Sequence, residues 1–96
     1  MWKAYKPACT RGSEGGVVLA DEEYEGACRI TLERCPRYDA ITCGVYGAMV
    51  HTVFRDPANS RAVYEAMKAE LADFCGGDTT EEEEYAFYRR FRERYT

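Results

Sequence analysis

The sequence has no long apolar stretch. No run approaches the 18 or so consecutive apolar residues that a membrane-spanning helix requires. The first residues, Met1–Pro7, also lack the apolar segment of a secretory signal peptide. We therefore expect a cytoplasmic protein with no membrane association.

The cysteines lack the spacing of a common metal or redox motif. Five are present, and no two of them form a Cys-x-x-Cys pair, which argues against the usual zinc and thioredoxin-like sites. In a reducing compartment such thiols stay free, and several pack as small hydrophobic side chains. We expect no metal and no cofactor.

The chain also lacks an excess of basic residues. Its 13 Lys and Arg against 17 Asp and Glu give a net charge of −4, whereas binding along a phosphate backbone needs a positive surface. The last segment interleaves Arg with aromatic residues, a pattern that can stack on bases. Those arginines also stand where the C-terminus of a helix favours cations. We favour this second explanation and do not expect a nucleic-acid partner.

Hydrophobic residues, by contrast, are abundant enough for a core. They make up 46% of the chain, with eight Tyr, four Phe and one Trp. This composition in 96 residues predicts one globular domain over residues 1–96, and the strand and helix patterns along the chain make it an α+β domain. Its parts are an N-terminal strand or loop (1–16), a β-meander (17–54) and two helices (57–95).

The middle of the chain predicts an antiparallel meander of three strands, at residues 16–20, 24–34 and 40–54, and residues 2–6 offer a fourth. From Cys28 to Glu33 apolar and polar residues alternate, which is typical of a strand with one buried face. The acidic residues 21–23 are expected to form a solvated turn. A divalent cation is the alternative for this acidic segment, but its spacing fits no EF-hand.

The last two predicted strands suggest a register. A loop at Pro36–Asp39 keeps apolar residues together on one face. Fifteen extended residues would span about 50 Å, which is too long for a flat strand here, so we expect a bulge or bend at Gly44 and Gly47. The predicted pairs are Leu32 with Cys43, Ile30 with Val45 and Cys28 with Gly47.

Two helices are predicted, at residues 57–75 and 80–95, both packed on the sheet. Asp56 is placed to cap the first, and Gly76-Gly77 to end it. Thr80 and Glu83 fit a capping box at the start of the second. Tyr85, Tyr88, Phe91 and Tyr95 are expected to form an aromatic stripe along that helix.

No catalytic motif is present, and three residues are candidates for ligand binding. In the predicted register His51 opposes Tyr24, and the two side chains could act with Tyr46 on a ligand. A Cys43–His51 dyad is excluded on a straight strand, because eight residues span about 26 Å. A shallow pocket on the second face of the sheet, near Tyr46, is the best small-molecule hypothesis.

Two function classes follow from these observations. We favour a small non-enzymatic interaction or regulatory domain, expected to form a dimer, because the aromatic residues outnumber the places inside a core of this size. The alternative is a small-molecule-binding protein or minor enzyme with a site near Tyr24, Tyr46 and His51.

Overall fold

A computed structural model describes residues 1–96 as a five-stranded antiparallel sheet followed by two helices. The predicted α+β class is therefore confirmed, whereas the predicted count of three or four strands is too low. The strands lie in chain order, so the first and the fifth form the two edges. The elements are β1 (Trp2–Ala4), β2 (Val17–Tyr24), β3 (Cys28–Arg34), β4 (Asp39–Val45), β5 (Met49–Arg55), α1 (Ser60–Cys75) and α2 (Glu81–Arg94).

The segment predicted as one long strand, residues 40–54, is a hairpin. The chain reverses at residues 46–48, and β4 pairs with β5 so that Val45 lies opposite Met49. Gly47 has a φ of 76°, a left-handed conformation that favours glycine. The bend expected at Gly47 is thus a complete reversal, which adds the fifth strand.

The acidic residues 21–23 belong to β2 and do not form the predicted turn. The reversal follows them at residues 25–27, where Glu25 and Gly26 have φ values of 48° and 71°. The N–H of Ala27 closes this turn by donating to the carbonyl of Tyr24 at 2.8 Å. The next strand consequently begins at Cys28, four residues later than predicted.

The register between β3 and β4 differs from the prediction by two residues. The turn between them is tighter than expected, because the Cys35 N–H donates to the carbonyl of Tyr38 at 2.9 Å and β4 already begins at Asp39. A shift of two keeps every side chain on its predicted face. The observed pairs are Leu32 with Ile41, Ile30 with Cys43 and Cys28 with Val45.

Both helices cover the same face of the sheet. α1 packs on β3 and β4 and buries Tyr64, Met67 and Leu71, while α2 adds Tyr88 and Phe91 to the same cluster. Full burial of a large apolar side chain contributes about 1.5–3 kcal/mol, so this layer carries most of the stability. We call this side of the sheet the helix face and the opposite side the open face.

The helix ends agree with the prediction except at the start of α1, and α1 ends at Cys75 with Gly76 as its C-cap, as predicted. The Thr80 hydroxyl accepts the Glu83 N–H at 3.2 Å, and the Glu83 carboxylate accepts the Thr80 N–H at 3.1 Å, which completes the predicted capping box. Asp56 instead accepts the N–H of Ala58 at 2.8 Å, and α1 starts only at Ser60. Neither helix has the length and apolar character needed to cross a bilayer.

Candidate functional site

The open face of the sheet carries a cleft of about 680 Å³. Its floor is formed by β2, β3 and β4, and it is also lined by the N-terminal segment and by the β4–β5 turn. This volume falls within the range of about 300–1,000 Å³ that is usual for small-molecule sites. The cleft is therefore the best-formed candidate site on the molecule.

The polar part of the floor is an ion pair between the buried Asp21 and the partly exposed Arg29. Arg29 donates two hydrogen bonds to Asp21, at 2.9 and 2.7 Å, and the Thr31 hydroxyl donates a third at 3.1 Å. The hydrogen bond with Asp21 is the main reason that the pKa of Arg29 is raised. Asp21 thus has Arg29 as its ion-pair partner and the Thr31 hydroxyl as a further donor.

The β4–β5 turn brings Tyr46 to the cleft. Its hydroxyl reaches across to β2 and donates to the Glu23 carboxylate at 2.5 Å, and its backbone N–H donates to Ala27 at 2.9 Å. Burial, together with the bond to Glu23, raises the pKa of Tyr46 to about 12. Tyr46 therefore remains a neutral phenol at physiological pH, held in one orientation.

The N-terminal segment is folded onto the sheet by a buried carboxylate. Sequence composition favours a flexible linker over residues 10–16, yet Glu33 accepts the backbone N–H groups of Gly16 at 2.8 Å and Glu14 at 3.2 Å. A Cβ atom on Gly12 would lie 2.5 Å from the same carboxylate. Glycine at this position thus lets the loop lie directly against Glu33.

Two cations of this segment line the cleft without an acidic partner. Lys6 and Arg11 take part in none of the ion pairs of the molecule. Arg11 donates one hydrogen bond, to the Gly15 carbonyl at 3.0 Å. Sequence reasoning missed both residues, because isolated cations in a glycine-rich segment give no local signal before the fold brings them to the sheet.

The three predicted site residues do not meet. Tyr46 lines the cleft, whereas Tyr24 and His51 lie on the helix face. Tyr24 pairs with Cys28 rather than opposing His51, and three strand spacings of about 14 Å in total separate β2 from β5. The predicted juxtaposition of His51 with Tyr24 is wrong, because it depended on a single straight strand.

His51 instead lies beside Cys43, its direct cross-strand partner. The expected separation of these two residues is therefore also wrong. Burial raises the pKa of Cys43 to about 12, so its thiol stays protonated at neutral pH. One ring nitrogen of His51 contacts the backbone carbonyl of Tyr95, and the ring packs edge-on against Phe91. These contacts join β5 to α2 and do not form a nucleophile–base pair.

The remaining thiols and carboxylates form structural contacts. All five cysteines are free, with Cys9 exposed. Glu22 accepts hydrogen bonds from Tyr64 at 2.5 Å and Lys68 at 3.0 Å. No three His, Cys, Asp or Glu side chains are grouped in a way that could hold a metal ion.

β5 is a second candidate surface, because its outer side faces no other strand. Val50 is 78% exposed and Phe54 is 51% exposed, and both point to the open face. Edge strands that must remain single usually carry proline, lysine or a bulge. β5 contains none of these over its seven residues.

Comparisons with known proteins found no match to this chain among family models, curated proteins or solved structures. The geometry of the cleft and of β5 is therefore what bears on function.

Proposed function

We propose that the chain is a non-enzymatic interaction domain that forms a homodimer through β5. The observation that carries this proposal is the unprotected edge strand with two exposed apolar side chains, Val50 and Phe54. An unpaired edge of this kind readily adds a strand from another chain, through main-chain hydrogen bonds.

The sequence of β5 is complementary to itself. In an antiparallel pair related by a two-fold axis at Thr52, Val50 of one copy lies beside Phe54 of the other, on the same face. His51 then faces Val53, and Met49 faces Arg55. No two like charges oppose each other, and the two sheets become continuous.

The charges on α2 favour the same arrangement. α2 lies on the β5 side of the helix layer, since Phe91 and the Tyr95 carbonyl contact His51. The proposed two-fold axis sets two copies of α2 antiparallel, so that the acidic start of each lies near the basic end of the other. The acidic residues are Glu81, Glu82, Glu83 and Glu84, and the exposed basic ones without an ion pair are Arg89, Arg90 and Arg92.

Light scattering after size-exclusion chromatography tests the dimer. We expect the wild-type chain to show twice the monomer mass of 11.0 kDa, and Val50→Lys to show the monomer mass, because the variant sets a charge beside Phe54 of the other copy. Leu19→Lys is the matched control, since Leu19 is 40% exposed on an interior strand. A wild-type chain that stays monomeric at about 0.5 mM, where even weak dimers with Kd near 0.1 mM form, contradicts the proposal.

The thiols favour a reducing compartment for this domain. Five unpaired cysteines in a small chain fit a cytoplasmic protein better than a secreted one, where such residues usually form disulfides. Cytoplasmic localisation is accordingly part of the proposal.

The cleft favours a second function, the binding of a small molecule. Of the three residues predicted from the sequence, Tyr46 is the one that lines it. No histidine lines the cleft, and the Cys43 thiol is protonated, so the lining supports binding rather than catalysis. A fragment screen by ¹⁵N–¹H NMR tests this function: ligands should shift the amides of Gly44 and Gly47, and a screen that shifts neither contradicts it.

A further inference from the structure

We propose that the cleft on the open face selects a small organic anion with a planar apolar body, such as an aromatic carboxylate or phosphate ester. This inference rests on the proposed small-molecule function of the cleft and adds the chemical class of its ligand.

The charge of the cleft is opposite to that of the whole molecule. Its lining contains three cations, Lys6, Arg11 and Arg29, and one carboxylate, Asp21, so cationic side chains outnumber anionic ones there. The whole chain carries −4. A positive cleft in an acidic protein concentrates anions and disfavours cations at that place.

The positive charge is available to a ligand. Arg29 already forms an ion pair with Asp21, whereas Lys6 and Arg11 form none. The guanidinium of Arg11 keeps most of its N–H donors free after its one bond to Gly15, and its planar shape suits two-point contact with a carboxylate or phosphate.

The acidic groups nearest the cleft are already engaged. Glu23 accepts the Tyr46 hydroxyl at 2.5 Å. Glu33 is fully buried beneath the N-terminal loop, where it accepts the Gly16 N–H at 2.8 Å. Neither carboxylate forms an ion pair with Lys6 or Arg11.

The floor beside these cations suits a flat apolar group. Arg29, Gly44 and Val50 are cross-strand neighbours in one row of the open face. The absence of a side chain at Gly44 leaves backbone at the centre of that row, where a planar ring can lie close. Tyr46 and Val50 supply apolar walls on either side.

The loop that carries the cations is ordered before any ligand arrives. Glu33 fixes its backbone, and Cys9 and Thr10 exchange main-chain hydrogen bonds with Val18 at 2.9 and 2.8 Å. A ligand that meets a preformed site loses less free energy to ordering of the protein. Selection by Lys6 and Arg11 thus needs no large rearrangement.

The test compares three matched compounds: 2-naphthoate, 2-naphthyl phosphate and the neutral 2-naphthamide. Binding to the full chain is followed by ¹⁵N–¹H NMR at the amides of Gly44, Gly47 and Val50. We expect at least one of the two anions to bind about tenfold or more tightly than the amide. Lys6→Gln and Arg11→Gln should each weaken that anion about five- to tenfold and leave the amide unchanged, as expected for a charge-assisted contact. Arg37→Gln, in the exposed β3–β4 turn, is the control and should leave both unchanged.

The possible outcomes distinguish failure of the anion selectivity from failure of the proposed small-molecule function of the cleft. Equal binding of the anions and the amide, insensitive to both variants, overturns the anion selectivity and leaves the small-molecule function intact. No shift at the three amides with any compound at millimolar concentration overturns both. Because Lys6 and Arg11 lie in the N-terminal segment, their variants leave the proposed β5 dimer undisturbed.

Discussion

At the level of single residues, three buried carboxylates make contacts that stabilise the fold. Asp21 pairs with Arg29, Asp39 pairs with Arg34, and Glu33 receives backbone N–H groups from the N-terminal loop. In the sequence these acids resemble ordinary surface residues. Each is in fact almost fully enclosed, and a buried charge without its partners is costly. The contact of Glu33 with Gly16 and that of Asp39 with Ser60 join segments 17 and 21 residues apart, whereas the two arginine pairs join neighbouring strands.

Asp39 should make stability depend on acidic pH. Burial alone would raise the pKa of Asp39, but hydrogen bonds from Arg34 and Ser60 outweigh it and hold the pKa below the ordinary value of 3.8. A lowered native pKa contributes stability above the unfolded pKa, and this contribution is lost as pH falls through the native pKa. We expect the free energy of unfolding to decrease below about pH 4.

The variant Asp39→Asn isolates this contribution. We expect it to cost about 1–3 kcal/mol at pH 7, because the Arg34 and Ser60 bonds lose their charged acceptor, and to flatten the decline in acid. Urea unfolding at several pH values measures both effects. Asp78→Asn, at an exposed position between the helices, should leave them unchanged. An acid slope that is the same in Asp39→Asn and wild type would show that Asp39 is not its source.

At the level of elements, the sequence predicted the helices better than the hairpins. Thr80 and Glu83 predict the start of α2, because the capping box is a local motif that needs no tertiary partner. The turn at residues 46–48 has a weaker signal: it reads Tyr-Gly-Ala, so Gly47 stands without the Asn, Asp or Pro that often accompany it at a reversal. Val45 and Met49, on either side of the turn, continue the apolar pattern. The sequence of residues 40–54 therefore did not distinguish one long strand from two short ones.

The acidic residues of β2 led to the opposite error, because a turn was predicted where the structure has a strand. Residues 21–23 resemble a turn because they are charged, but each finds a partner only after folding: Asp21 on β3, Glu22 on α1 and Glu23 at the β4–β5 turn. The residues of the candidate site were also hard to predict where they come together only through the tertiary fold. Tyr46 was found because glycines surround it, whereas Lys6 and Arg11 belong to the cleft only through the sheet topology.

The N-terminal loop should depend on Gly16 for its close contact with the sheet. A Cβ atom there would lie 2.5 Å from the Arg34 carbonyl oxygen and 2.8 Å from the Cys35 sulfur, and the first of these is backbone that cannot turn aside. We expect Gly16→Ala to cost about 1–3 kcal/mol in urea unfolding, as is usual when an extra atom enters a packed region.

Gly77→Ala is the matched control for this loop. Its added Cβ would meet no atom nearer than 3.7 Å, the Asp73 carbonyl oxygen. Its stability should therefore stay within about 0.5 kcal/mol of wild type. Equal stability of the two variants would show that the loop is not packed against β3 as described.

At the level of the whole molecule, the two faces of the sheet have different roles. The helix face is filled by α1 and α2 and holds the core. The open face is covered at one end by the N-terminal loop and carries the cleft and the exposed side chains of β5. Val50 belongs to both surfaces, so dimer formation would complete the outer wall of the cleft. The proposed functions therefore meet at one edge of the sheet.

Disulfide trapping at Thr52 tests the pairing of β5 most directly. The measurement is the rate of covalent dimer formation by Thr52→Cys in a Cys9→Ser background, which removes the one exposed native thiol, in a glutathione redox buffer on non-reducing gels. The two-fold axis at Thr52 predicts rapid and nearly complete cross-linking, because it brings the two introduced thiols face to face. Leu19→Cys in the same background should cross-link slowly. Equal, slow rates for the two variants would contradict the proposed dimer.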